Sequence, residues 1–123
     1  MTVTDLNKDG KLDLIVTNGG GITILLGKGN GTFAAPLHYA LSAYTRAVVA
    51  DFNGDGKLDV AVGAQGQVVD IFLGDGTGKL LTPPASFRVG GLPSGIVTAD
   101  FTGDKKTDIG VAIGSEVVTL LHQ

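Results

Sequence analysis

The stretch "DFNGDGKLDVAV", residues 51–62, sets aspartate or asparagine at its first, third and fifth positions, glycine at the sixth and aspartate at the ninth, then runs into apolar residues. The pattern recurs without gaps as "DLNKDGKLDLIV" from Asp5 and "DFTGDKKTDIGV" from Asp100, at intervals of 46 (51 − 5) and 49 (100 − 51) residues. A second apolar run begins near Ile22, Val68 and Val117, each 17 residues past the opening aspartate (22 − 5, 68 − 51, 117 − 100). Such constant spacing marks one supersecondary unit used three times.

The unit reads as strands. Runs such as "GITILLG" and "VVDIFLG" are short, β-branched and bounded by glycine, and none reaches the length of a helix. A further turn follows in "GKGNGTF" and "GDGTGKL", whose Asn-Gly and Asp-Gly pairs suit the positive φ angles of a tight hairpin. A fourth, more polar strand is expected around "LHYAL" and "ASFRV". The spacing therefore predicts an all-β chain of three four-stranded antiparallel meanders, each about the size of a propeller blade. Their expected bounds are 1–44, 45–93 and 94–123, with the last lacking its outer strand.

Composition agrees with many short strands and tight turns. The chain has 123 residues, 43% of them hydrophobic and only 6% aromatic, with 20 glycines. It has no cysteine, which excludes disulfides, thiolate metal sites and cysteine nucleophiles. A net charge of −3 argues against nucleic acid as a partner. Neither a membrane-length apolar run nor a basic segment followed by an apolar one occurs in the sequence. His38 and His122 lie in no nucleophile–base motif, so catalysis is not expected.

The loops have a chemistry of their own. Calcium takes six to eight hard oxygen ligands, which a short loop supplies from alternate side chains while a glycine makes the sharp turn. The candidate ligands are Asp5, Asn7, Asp9, Asp13 and the Lys11 carbonyl in the first loop, and Asp51, Asn53, Asp55, Asp59 and the Lys57 carbonyl in the second. An EF-hand opens in the same way but needs a bidentate glutamate at position twelve, where this chain has Val16, Val62 and Val111. Aspartate, asparagine and glycine also favour plain turns. Two carboxylates about 4 Å apart, however, repel by roughly 4 kcal/mol at an effective dielectric near 20, so crowding them calls for a cation.

The third loop departs from this pattern. Thr102 stands in the amide position and Lys105 in the glycine position, leaving Asp100, Asp104, Asp108 and the Lys106 carbonyl. Weaker calcium binding is expected there, or a Lys105 ammonium in place of the ion. The loops hold nine of the twelve acidic residues, all but Asp70, Asp75 and Glu116. Three Ca²⁺ ions would change the formal charge from −3 to +3 (−3 + 6).

The repeated D-x-[ND]-x-D-G-x-x-D-[LV] pattern, followed by "LLGKGNGTF" or "FLGDGTGKL", resembles the FG-GAP or VCBS-type repeat of integrin-like β-propellers. The resemblance implies one blade per repeat, calcium in the loop between the innermost strand and the next, and an extracellular or cell-surface setting. Propellers close with four to eight blades, so three imply either association, most simply a homodimeric six-bladed ring, or a piece of a longer or engineered propeller completed by other contacts or a higher copy number. The family's lectin-like and integrin-like members bind sugars or proteins at inter-blade loops. In "LSAYTR" and "GGLPSG" the candidate contacts are Tyr44 and Arg46. A carbohydrate-binding or adhesive module is thus the alternative to a calcium-stabilised scaffold.

Overall fold

The computed structural model describes residues 1–43 and 45–120. Their regular structure is entirely strand: β1 (Thr2–Thr4), β2 (Asp13–Asn18), β3 (Gly21–Leu25), β4 (Leu37–Ala40), β5 (Val48–Ala50), β6 (Asp59–Ala64), β7 (Val68–Phe72), β8 (Ala85–Arg88), β9 (Pro93–Ala99), β10 (Asp108–Ile113) and β11 (Glu116–Leu120). They form three antiparallel meanders in chain order, β1-β2-β3-β4, β5-β6-β7-β8 and β9-β10-β11. The expected fourth strands are β4 and β8, and the last sheet has three strands among the described residues. Among these residues no helix is long and apolar enough to cross a membrane.

Strand alternation assigns each sheet two faces, and the sheets stack through them. In the first sheet Ile15, Ile22 and Ile24 point to one side and, with Leu6, are buried against Val60, Val62, Phe72 and Leu80 of the middle sheet. On its other side the middle sheet turns Ala61 and Val69 toward Ile96, Ile109, Val111 and Ile113 of the last sheet. Burial of a valine or isoleucine of this kind contributes roughly 1.5–3 kcal/mol. Strand β6 is consequently buried at every position, whereas β2 is fully buried only at Asp13 and Ile15, and β10 is buried at all but Ala112. A continuously buried strand is unusual for an antiparallel sheet and follows from its position between two others.

Polar contacts fix the stacking. Thr2 Oγ1 donates to the Ala47 carbonyl at 2.7 Å, and the Leu80 N–H donates to the Tyr39 hydroxyl at 2.8 Å. Between the middle and last sheets, Gly63 allows a close approach, because a Cβ there would lie 2.4 Å from that of Pro93. The Gly63 N–H donates to Thr45 Oγ1 at 2.8 Å, which holds the connecting segment onto β6.

Antiparallel order places the three aspartate-rich loops, β1–β2, β5–β6 and β9–β10, at one end of the sheets and the β4–β5 and β8–β9 connections at the other. The Gln65 N–H, in the turn after β6, donates to the Ser42 carbonyl at 2.8 Å, consistent with the connection lying at that second end.

Candidate functional site

Each aspartate-rich loop is wound around its first carboxylate. Asp51 Oδ1 accepts from the N–H groups of Gly54 and Asp55 at 2.7 and 3.1 Å, and Oδ2 from Gly56 at 2.7 Å. Asp100 repeats this with Gly103, Asp104 and Lys105 at 2.6, 3.2 and 2.8 Å. Asp5 accepts from Asp9 and Gly10 at 3.0 and 2.8 Å. The third and fifth positions make smaller turns: Asn7 and Asn53 accept from Asp9 and Asp55, both at 3.2 Å, and Asp9, Asp55 and Asp104 accept from the residue two further on. These are the side-chain-to-backbone turns that Asx residues favour.

Winding a chain so tightly requires positive φ at two positions. The sixth is Gly10 (φ 84°), Gly56 (83°) and Lys105 (68°); the fourth is Lys8 (58°), Gly54 (77°) and Gly103 (79°). Only the middle loop has glycine at both. The sequence pattern marks the sixth position but not the fourth, and in both Lys8 and Lys105 a side chain is held in the left-handed region.

The ninth-position aspartates have a different environment. Asp13, Asp59 and Asp108 are among the most deeply buried side chains of the molecule. Asp13 Oδ2 accepts from the Leu6 N–H and Oδ1 from Gly27, both at 2.9 Å; Asp59 does the same with Phe52 and Gly74, again at 2.9 Å. One carboxylate thus joins the start of its loop to the end of the third strand. Gly27 and Gly74 permit this closeness, since a Cβ on either would lie 2.1 Å from the carbonyl oxygen of Leu12 or Leu58. Asp108 accepts from Phe101 and Thr102 at 3.0 and 3.3 Å. The signal for this inward role was present in the sequence: each aspartate opens a strand two residues before Ile15, Ala61 or Gly110, on the same side of the pleat.

These environments move the carboxyl pKa values apart. Burial acts to raise that of Asp51, but the N–H donors of Gly56, Gly54, Asp55 and Asn53 outweigh it and leave it below the ordinary value. At Asp100 the Lys105 N–H is the largest influence, and the carboxyl is likewise lowered. Burial dominates at Asp59 and raises it; Gly74 and Phe52 offset this only in part, and the charges of Asp55 and Asp51 add to the rise.

The donors are hard oxygens, as calcium requires, but they form an open set. Among the described residues no three histidine, aspartate or glutamate side chains gather as a metal-binding group. Within each loop the ninth carboxylate is buried in backbone contacts, and an amide or hydroxyl stands at the third position. In the last loop Thr102 Oγ1 donates to Asp100 Oδ1 at 3.4 Å, so its hydroxyl is turned to the neighbouring carboxylate. Among the described residues an ion pair joins Lys11 and Asp9 at 3.9 Å, and Lys105 meets Asp100 through its N–H at 2.8 Å. The loops also touch each other, because Lys8 Nζ donates to the Gly56 carbonyl at 2.5 Å, a contact for which the repeat pattern gave no signal.

Of the other candidate contacts, Arg46 is exposed and lines a groove of about 470 Å³ beside the last sheet, while Tyr44 lies outside the described residues. His38 Nδ1 lies 3.0 Å from Thr23 Oγ1 on an exposed strand, and His122 lies outside the described residues.

Three stacked meanders, each opened by the same Asx-wound loop, define a repeat protein of blade-like sheets. The chain belongs to the FG-GAP-like repeat family: that family's pattern matches residues 5–62 and 51–111, each match running from one loop into the strand beyond the next. Comparison with curated proteins gives no match.

Proposed function

We propose that this chain is a calcium-stabilised, non-catalytic β-propeller scaffold or protein-interaction module of the extracellular space or cell surface, which closes a six-bladed ring with a second copy. The observation that carries the calcium reading is the set of three equivalent oxygen-rich loops at one end of the sheets, each already wound by the backbone contacts of its first aspartate. In the first loop Asp5, Asn7, Asp9, Asp13 and the Lys11 carbonyl would hold the ion. In the second they are Asp51, Asn53, Asp55, Asp59 and the Lys57 carbonyl, and in the third Asp100, Thr102, Asp104, Asp108 and the Lys106 carbonyl. Bound calcium supplies positive charge to carboxylates that otherwise repel one another. The raised pKa of Asp59 fits that need, since burial and its neighbours disfavour its charged form in the absence of a cation. The scaffold reading is supported by the family, and ring closure by stacked sheets whose outermost faces meet no other sheet among the described residues.

Thermal melting in calcium, magnesium and chelator tests this reading. At calcium 100-fold above Kd each occupied loop contributes about 2.7 kcal/mol, or a rise in Tm of roughly 10 °C. Asp55→Ala should remove more of the calcium response than Asp104→Ala, because the last loop lacks the amide ligand. Melting that is indifferent to calcium and to chelator would overturn the assignment.

A further inference from the structure

At the fourth position of the aspartate-rich loops only one copy has a side chain to offer. Lys8, Gly54 and Gly103 stand there, all at positive φ. The Lys8 side chain leaves its own loop, and its Nζ donates to the Gly56 carbonyl of the middle loop at 2.5 Å, across 48 positions of sequence. Gly54 and Gly103 have nothing with which to repeat that reach toward a neighbour. Lys8 makes it while holding a φ of 58°, a region unfavourable to a residue with a Cβ. The bond from an ammonium to a carbonyl is charge-assisted, and so stronger than one between neutral groups.

Gly56 lies between two of the oxygens assigned to the middle loop, the Asp55 carboxylate and the Lys57 carbonyl. Its N–H donates to Asp51 Oδ2 at 2.7 Å, and the Asp55 N–H donates to Oδ1 of the same aspartate at 3.1 Å. The first loop therefore fixes one unit of positive charge at the rim of the second loop's carboxylates. That charge acts in two opposite senses. It offsets the repulsion among the carboxylates while they hold no ion, and it repels a divalent cation that would bind them.

We propose that Lys8 is a tethered counter-ion for the middle loop and holds that loop's calcium affinity below what its own donors would give. This rests on the calcium reading above and deepens it, because it makes the affinity of one loop a property of its neighbour. The middle loop has an amide at the third position and glycine at both positions of positive φ, yet it is the loop that receives an ammonium from next door. The last loop has threonine at its third position, and the residue that would oppose it from the middle loop is Gly54. Lys8 thus brings the better-equipped loop closer to the poorer one.

The test is calorimetric titration of the full chain with calcium alone, in low and in high salt. Wild type is compared with Lys8→Met, which keeps the stem and drops the charge, and with Lys8→Glu. Lys8 is exposed, so neither change touches the core. The series is repeated on an Asp55→Ala background, and the site that this background loses is the middle loop's. The Kd of that site should fall about fivefold in Lys8→Met at low salt, the order expected when a unit charge no longer repels a divalent ion across the width of a loop in water. It should fall further in Lys8→Glu. Both gains should shrink in high salt, where the Debye length drops to about 3 Å at 1 M, and the sites that remain on the Asp55→Ala background should not gain. In chelator the urea midpoint of Lys8→Met should lie below that of wild type, because the carboxylates have lost their counter-ion. A side chain that only braced the loops would lower this midpoint without tightening calcium. A Kd that the two substitutions leave unchanged or raise overturns the inference and leaves the calcium reading standing. So does a gain that high salt does not reduce, or one that persists on the Asp55→Ala background. A wild type that takes up no calcium overturns both.

Discussion

The middle and last loops share one backbone and differ at a residue whose φ is positive in both. Gly56 and Lys105 both sit at positive φ, 83° and 68°, and both N–H groups donate to the first aspartate of their loop. A lysine has every steric reason to leave that region, yet it stays, because leaving would strip Asp100 of one of three backbone donors. The wound shape is thus set by the first aspartate, and glycine only removes strain from it. Loop shape and donor set are separable here: the last loop keeps the first while its side-chain donors have changed.

The sharpest way to break this comparison is to remove acceptors within the middle loop. Asp59→Ala is expected to cost about 3 kcal/mol or more, because it leaves the Phe52 and Gly74 N–H groups without their acceptor inside the protein. Asp51→Ala should cost about 1 kcal/mol, since its partners Gly54, Asp55 and Gly56 are exposed and can turn to water. Urea denaturation of both variants in chelator measures the difference; equal losses would show that the buried carboxylate is no more important than the exposed one.

Exchanging the residues at the glycine position should give an effect of intermediate size. Lys105→Gly is expected to stabilise by about 1 kcal/mol and Gly56→Lys to destabilise by a similar amount. A Cβ at Gly56 meets nothing within 4 Å, so the second change is a matter of backbone conformation alone. If the two midpoints move in the same direction, the strain account fails.

The smallest effect concerns the hairpin turns of the first and middle repeats. Asn30 Oδ1 and Asp75 Oδ1 each accept from the N–H and hydroxyl of the threonine two residues on, but only aspartate titrates. The Thr77 hydroxyl and then its N–H hold the Asp75 pKa below its ordinary value of 3.8. A lowered folded-state pKa contributes stability above the unfolded value, and that contribution disappears as pH falls through the folded one. The stability difference between wild type and Asp75→Asn should therefore be constant near pH 6 and shift against the wild type as pH drops below about 4. Parallel acid-denaturation curves would show that this turn contributes nothing to the pH dependence.

Repetition made most of the fold legible. A pattern seen three times marked the loops and the apolar strands, and the polar outer strands stood out in two of the three copies, hence the three meanders. The sequence did not reveal which loop positions need positive φ. Glycine at position six is visible in two copies, whereas position four holds Lys8, Gly54 and Gly103 and looks unconstrained. Nor did a list of ligand types separate the ninth aspartate from the others, although strand alternation from Ile15 or Ala61 places it on the buried side. In the "GKGNGTF" and "GDGTGKL" turns, positive φ falls on glycines alone, Gly29, Gly31, Gly76 and Gly78, rather than on Asn30 or Asp75. Those two side chains instead accept hydrogen bonds from the following threonines.

The inward aspartates also bear on motion. Loop amides ordinarily exchange with solvent hydrogen far faster than those of strands, through small local openings. The Leu6 and Phe52 amides belong to loops, yet each is held by a carboxylate that also holds the end of its sheet's third strand. Freeing either one disturbs the strand end with it, so these amides should exchange on the slow timescale of the sheets. On that timescale each loop and its sheet open as one unit.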